Sequence, residues 1–261
     1  MARHHKRDPS GWDAVARWYD GWVGADGSEH HRRLAIPATL DLLNLASGEH
    51  LLDVGAGQGV FAPYVLRTGA CYTGVEISPR LLALAQKRDL PRARFLHGDA
   101  RRLAEIPALE PASFDAASFL LSIQDMNPLD AVLRSAAWAL RDGGRLVILM
   151  THPCFRVPRQ SGWGRDEGRN LQFRRVDSYL SPLEVPMKSY GKQRAGTTIS
   201  FHRPLSRYVS ALAACGLLID ALDELTTYES GASKAERRAN AEFPLFVGLR
   251  ARKFARGAPS P

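Results

Sequence analysis

Three carboxylates stand at or beside the ends of three short apolar runs, and a glycine-rich turn follows the first. Leu51-Leu52-Asp53-Val54 passes into Gly55-Ala56-Gly57-Gln58-Gly59, Tyr72-Thr73-Gly74-Val75 ends in Glu76, and Ala93-Arg94-Phe95-Leu96-His97-Gly98 ends in Asp99. Glycines at alternate positions suit a turn with unusual backbone angles, and they let a ligand lie against the main chain where a Cβ would block it. An acid about twenty residues beyond such a turn is placed to accept the hydroxyls of a bound ribose. The chemistry implied is the holding of a nucleoside-containing cofactor. The dinucleotide fingerprint G-x-G-x-x-G is not met, because its third glycine falls on Val60.

A second set could act on whatever that cofactor serves. The run Phe114-Asp115-Ala116-Ala117-Ser118-Phe119-Leu120-Leu121-Ser122 leads to Gln124 and Asp125, and Arg145–Met150 leads to His152. Residues that follow strand ends stand on the rim of a ligand pocket in a fold of this kind. His152 is the first candidate for a general base, since imidazole titrates near neutral pH and can take a proton from a hydroxyl or a protonated amine. Asp125 is the second catalytic candidate. A structural histidine that closes the strand end is the other reading of His152. No metal is expected: Cys71, Cys154 and Cys215 show no C-x-x-C spacing, and the adjacent His30 and His31 cannot both face one side of a helix.

These residues need elements to position them. Apolar runs and helical stretches alternate five times, with Ser78-Pro79 capping a helix over Arg80–Arg88 and Asn127-Pro128 preceding another over Leu129–Arg141. Asp142-Gly143-Gly144 then turns the chain into the strand Arg145–Met150. Such alternation predicts a parallel sheet covered on both faces, with ligands at the carboxyl ends of the strands where the strand order reverses. Ahead of it, Trp12, Val15, Trp18, Tyr19 and Trp22 recur at helical spacing and predict an amphipathic cap helix. Its rings can face a cationic ligand or an aromatic substrate, and ordinary core packing accounts for most of them. His30-His31-Arg32-Arg33 opens the next helix.

After His152 the alternation stops for some fifty residues. The stretch 153–203 carries four prolines, six arginines before Val176, and the apolar anchors Trp163, Phe173, Tyr179 and Leu180. A loop of that length is either functional or disordered, and the aromatics favour order. It reads as a substrate lid with short strands. Beyond it, Leu205–Cys215 is helical with Gly216 as its stop, Leu217–Thr226 and Phe243–Ala251 are strands, and Tyr228–Glu242 between them is polar.

The 261 residues, 45% of them hydrophobic, suit one α/β domain with additions. No stretch approaches the roughly twenty apolar residues that span a bilayer, and the first residues lack an apolar signal core, so a soluble, cytoplasmic protein is expected. The net charge of +8 is localised. Arg3, Lys6 and Arg7 oppose Asp8, ten lysines and arginines in 153–203 oppose four acids, and the remainder is neutral. A basic insertion on a neutral core suits an anionic ligand, or else is a solvated basic loop.

In order and spacing, LLDVGAGQG, GVE, HGDA, FDAASFLLSIQDM and LRDGGRLVILMTH resemble the class I S-adenosylmethionine-dependent methyltransferases, in particular their small-molecule branch, over about residues 48–152 and more loosely 205–253. The resemblance implies a Rossmann-like, doubly wound α/β sheet of seven strands, six parallel and one antiparallel, with a helical cap and a lid insertion. Taken with the residue patterns, it divides the chain into a disordered basic tail at 1–11, the cap at 12–47, the cofactor-binding half at 48–152, the lid at 153–203, the second half at 204–253 and a disordered tail at 254–261. It implies S-adenosylmethionine as cofactor, with Gly55 and Gly57 under its methionyl and ribose parts and Asp53 nearby. Glu76 would then take the ribose hydroxyls, Ile77 would pack on adenine, Asp99 and Ala100 would read its amino edge, Leu120 and Leu121 would line the sulfur end, and Tyr19 would lie over the cofactor. His31, Gln124, Arg156 and Arg159 are the candidate substrate contacts. Asp125-Met126-Asn127-Pro128 lacks the second proline and the aromatic of the N-P-P-[FY] box of amino-group methyltransferases. The activity implied is methyl transfer to an oxygen or nitrogen of a small metabolite that carries an acidic group or an aromatic ring, with no membrane partner. RNA methylation, using the basic lid and tail on phosphates, and a module that binds the cofactor without turnover are the alternatives.

Overall fold

The computed structural model describes residues 11–188, 196–228 and 233–254. Of the two expected tails, all but Gly11 and Phe254 fall outside the described residues. The first element is the helix α1 (Trp12–Val23), followed by a π-helical turn at His31–Ala35 that runs into α2 (Ile36–Leu43). Alternation then sets in: β1 (His50–Val54), α3 (Ala62–Arg67), β2 (Cys71–Glu76), α4 (Pro79–Gln86), β3 (Ala93–His97), β4 (Phe114–Leu120), α5 (Leu129–Ala139) and β5 (Leu140–Thr151). Two hairpins follow, β6 (Ser161–Asp166) with β7 (Leu171–Val176), and β8 (Leu183–Lys188) with β9 (Thr197–His202). The chain ends with α6 (Leu205–Ala214), β10 (Leu217–Leu225), α7 (Lys234–Glu242) and β11 (Phe246–Lys253).

The main sheet has seven strands in the order β10-β11-β5-β4-β1-β2-β3. Only β11 runs against its neighbours, so six strands are parallel and one is antiparallel. The inner strands β1, β2 and β4 are largely buried because both faces are covered, whereas the edge strands β3 and β10 are partly exposed; the two-residue period divides the buried side chains between two layers. Leu52, Val54, Ala117, Phe119, Leu146 and Ile148 pack with α5 and α6, while Leu51, Tyr72, Ala116 and Val147 pack with α2 and α3. The chain builds β1, β2 and β3 outward, then returns to lay β4 on the other side of β1. The switch in strand order therefore lies between β1 and β4, where a crevice opens at their carboxyl ends.

Two strand starts differ from those expected. β5 begins at Leu140, and its pairing with β4 jumps from Phe114–Leu140 to Ala116–Arg145, so the Asp142-Gly143-Gly144 segment bulges out of the ladder. β11 begins at Phe246, because the Phe243 N–H still bonds Ala239 O at the end of α7 and Pro244 has no N–H to give a ladder. Among the described residues, no helix is long and apolar enough to cross a membrane.

Candidate active site

The turn after β1 explains its glycines. Gly55 has φ +80°, and a Cβ there would sit 2.7 Å from both Met126 Cε and Ser122 Cβ. Gly57 has φ +57° and faces the Tyr19 ring, which would lie 3.7 Å from an added Cβ. Glu76, 5% exposed at the end of β2, straps this turn to the next: its Oε2 accepts from the Gly57 N–H at 2.9 Å and its Oε1 from the Ser78 N–H at 2.8 Å. Ser78 caps α4 through the Leu81 N–H at 3.2 Å, so the acid stands beside the electropositive start of a helix.

A cavity of about 170 Å³ occupies the crevice, lined by Tyr19, Gly55, Gly57, Glu76, Ile77, Asp99, Ala100, Leu120 and Leu121. The structure thus brings together every residue expected to meet the cofactor except one. Asp53 is turned into the sheet, 2% exposed, and accepts hydrogen bonds from the Tyr72 hydroxyl at 2.6 Å and the Ser118 hydroxyl at 2.8 Å. Burial pushes its carboxyl up to about 6, against the pull of those two hydroxyls. It supports the floor of the cavity and does not line it. Asp99 lines the wall while gripped by Arg101, with contacts of 2.9 Å and 2.6 Å. Burial raises its carboxyl, but the Arg101 bonds outweigh burial and leave it below the usual range.

The cap helix is fastened by a residue the sequence did not single out. Asp13 Oδ1 accepts from the Ser78 hydroxyl and the Arg80 N–H, both at 3.0 Å, and Arg80 Nε adds an ion pair at 3.3 Å. An acid in the first turn of α1 is unremarkable in sequence, and its partner lies 65 positions away at the start of α4. Through this clamp Trp12 and Tyr19, packed edge to face at 5.1 Å, close over the cavity.

A second cavity of about 400 Å³ lies beyond, walled by Trp12, Trp18, Tyr19, Trp22 and Phe201, with Gln124, Asp125, Arg156, Arg203 and Tyr208 among its polar members. The two cavities share Trp12, Tyr19, Asp125 and Phe201. Burial pushes the Asp125 carboxyl up to about 7, with the Ser200 hydroxyl bond and the Arg203 charge pulling the other way. Burial also lowers the Arg156 guanidinium to about 10, helped by the like charge of Arg174. Arg203, which sequence reasoning missed, is 7% exposed and donates through Nη2 to Met126 O at 2.7 Å and Asn127 Oδ1 at 3.0 Å. Nothing in its local sequence marks it, since the lid holds nine other lysines and arginines.

Three candidates are not brought to either cavity. His152 is 2% exposed; its Nδ1 accepts from the Cys154 N–H at 3.2 Å, so the ring proton sits on Nε2 and is given to Glu224 Oε1 at 2.7 Å. Burial lowers its pKa despite the carboxylate beside it. It closes the end of β5, as its structural reading has it. His31, 4% exposed and pushed down to about 4 by burial and by the His30 charge, bonds Ser28 Oγ through Nδ1 at 2.8 Å. Arg159 donates to Pro186 O at 2.9 Å and so ties the two lid hairpins together. Among the described residues, no group of three or more His, Cys, Asp or Glu side chains could hold a metal ion.

Residues 52–148 match the family model described as a methyltransferase domain. A demethylmenaquinone methyltransferase of Tropheryma whipplei (strain Twist) is 37% identical over 125 residues, 48% of this chain and 49% of the relative. A ubiquinone biosynthesis O-methyltransferase of Xylella fastidiosa is 27% identical over 139 residues, 52% of this chain and 56% of the relative. The chain spans about half the length of the curated relatives it matches. The crystal structure of an S-adenosylmethionine-dependent methyltransferase from Mesorhizobium loti superposes with a TM-score of 0.69 at 24% identity, covering 88% of this chain and 100% of that one, which shows the fold. The match over residues 52–148 is to a methyltransferase domain, and the seven-stranded fold is the one that the S-adenosylmethionine-dependent methyltransferase structure shares.

Proposed function

We propose that the chain transfers a methyl group from S-adenosylmethionine, held in the first cavity, to an oxygen or nitrogen of a small, unsaturated ring compound in the second. The observation that carries this reading is the shared wall of the two cavities, where Asp125, with a carboxyl near 7, stands between the cofactor side and the acceptor side. The cofactor supplies a methyl already activated on a cationic sulfur. The residues present fit it: the Gly55–Gly57 cradle has no Cβ to block the main chain, Glu76 faces the cavity, and Ile77 and Leu120 give apolar walls.

The chain contributes position and a proton acceptor. Above pH 7 an ionised Asp125 takes the proton of an acceptor hydroxyl or amine. Trp12, Tyr19 and Phe201 exclude water from the junction and hold the reactants in line, an arrangement that can supply about 7 kcal/mol or more of the barrier. The names of the relatives, a demethylmenaquinone methyltransferase and a ubiquinone biosynthesis O-methyltransferase, favour a ring compound. RNA is disfavoured because four of the lid arginines are engaged: Arg165 with Glu167, Arg169 with Asp166, Arg175 with Asp177, and Arg174 with Phe155 O.

The test is calorimetric titration with S-adenosylmethionine and S-adenosylhomocysteine, beside Glu76→Ala, followed by methyl transfer to a panel of phenols, quinols and amines. Binding that the variant weakens by about tenfold or more supports the cofactor site, since the lost acceptor is buried and charged. A folded wild type that binds neither compound ends the reading.

A further inference from the structure

The second cavity has a feature that methyl transfer does not require. Both Nη2 hydrogens of Arg203 are used, on Met126 O and Asn127 Oδ1, whereas Nη1 is buried with no hydrogen-bond partner. The Tyr208 hydroxyl lies beside this guanidinium and the Phe201 ring lies 5.2 Å from it. Gln124 is the complement: its Nε2 donates to Leu121 O at 2.6 Å, and its Oε1 is buried without a partner. A buried charged donor left unmade is costly, so a cavity that keeps one holds it for a ligand oxygen. The charges agree. Arg203 and Arg156 face the cavity as cations, and Asp125 is half neutral near pH 7, so the cavity is net positive between aromatic walls.

We propose that the acceptor is an aromatic hydroxy acid whose carboxylate oxygen takes the free Nη1–H of Arg203, with its ring hydroxyl at Asp125. This rests on the methyltransferase reading and names its substrate class. In the transfer, the acceptor hydroxyl gives its proton to Asp125, the oxygen–methyl bond forms as the sulfur–methyl bond breaks, and S-adenosylhomocysteine leaves. Arg203 keeps the carboxylate away from the methyl and so decides which oxygen of the acceptor reacts.

The experiment uses the full chain loaded with S-adenosylhomocysteine, titrated with 4-hydroxybenzoate and with its neutral isostere 4-hydroxybenzamide. Binding is read by calorimetry and by the fluorescence of Trp12, Trp18 and Trp22 in the cavity wall. The acid should bind about tenfold or more tightly than the amide, the difference expected of a charge-assisted bond to a buried guanidinium. Arg203→Met should bring the acid down to the level of the amide in a variant that still binds S-adenosylhomocysteine. Arg203→Lys, which keeps the charge but not the planar fork, should retain part of the preference; it carries the comparison if Arg203→Met does not fold. Equal binding of acid and amide by the wild type, a preference that survives removal of the guanidinium, or no binding of either probe by protein that does bind S-adenosylhomocysteine overturns the proposal and leaves the methyltransferase reading standing. Failure to bind S-adenosylhomocysteine defeats both.

Discussion

Asp125→Asn should stabilise the protein, although it removes the residue placed to take the acceptor proton. The wild-type carboxyl moves from 3.8 to about 7 on folding, chiefly through burial. A native pKa raised above the unfolded value means that the native state binds the proton more tightly, so stability falls as pH climbs from about 4 to about 7 and is flat above. About three pKa units correspond to roughly 4 kcal/mol of destabilisation at pH 8, an upper bound because side chains relax around a buried charge. Asparagine keeps an oxygen for the Ser200 hydroxyl and carries no charge, so most of that penalty should disappear. Urea denaturation of both proteins at pH 8 should show the variant more stable by about 2–4 kcal/mol, and at pH 5.5 the gap should be about half as large. The same variant should lose the rise of kcat/KM with pH through about 7 that the wild type shows once an acceptor is in hand. A variant no more stable than wild type at pH 8, or a gap that ignores pH, would refute the reasoning.

Three further substitutions probe the supports of the site. Asp13→Ala removes the clamp between α1 and the start of α4, so limited proteolysis should cut α1 faster and S-adenosylhomocysteine affinity should fall by about tenfold, as Tyr19 and Trp12 are no longer held over the cavity; unchanged proteolysis would show that ring packing alone suffices. Arg145, 7% exposed, pairs with Glu49 at 2.5 Å and donates to Leu43 O and Asn44 O, so Arg145→Met should cost about 3 kcal/mol in urea denaturation by stranding a half-buried carboxylate and two carbonyls. His152→Gln should cost about 1–3 kcal/mol through the lost bonds to Glu224 and the Cys154 N–H, with no change in cofactor affinity or in the pH profile of the reaction; a flattened pH profile would return His152 to the chemistry.

The alternation of the first five strands with helices was legible in the sequence because its signals are local, whereas the seven-stranded count with one antiparallel strand came from the resemblance. The apolar runs that became β1, β2 and β4 are largely buried, and the Ser78-Pro79 cap shows its hydrogen bond to Leu81. The two cavities were less so, because they are made by groups far apart in the chain. Asp13 meets Ser78 across 65 positions, and Arg203 meets Met126 across 77. No pattern within either segment encodes the partner, and an arginine in an arginine-rich lid is distinguished only by the Nη1 that folding leaves buried and unpaired.

The contrast among the polar residues near the strand ends shows why position along the chain names a region and not a residue. Asp53 is still inside β1, paired with Gly74 and Ser118, so the two-residue period aims it at the same layer as Leu51, into the hydroxyls of Tyr72 and Ser118. Glu76 is the last residue of β2, paired with His97 of β3, and its carboxylate reaches over the crevice to the Gly57 N–H. His152 follows β5 by one residue, yet the antiparallel β11 runs alongside, and the His152 N–H bonds Leu245 O at 2.9 Å just before that strand begins. Its backbone therefore stays in register with the sheet, and its ring is delivered to Glu224 on β10, away from both cavities. Asp125 lies five residues past β4, in the short 3₁₀ turn Ile123–Asp125, which packs against β9, and its carboxylate accepts from the Ser200 hydroxyl on that strand. That contact holds a carboxylate at the junction of the two cavities, where the same burial that destabilises its charge sets it to take a proton near neutral pH.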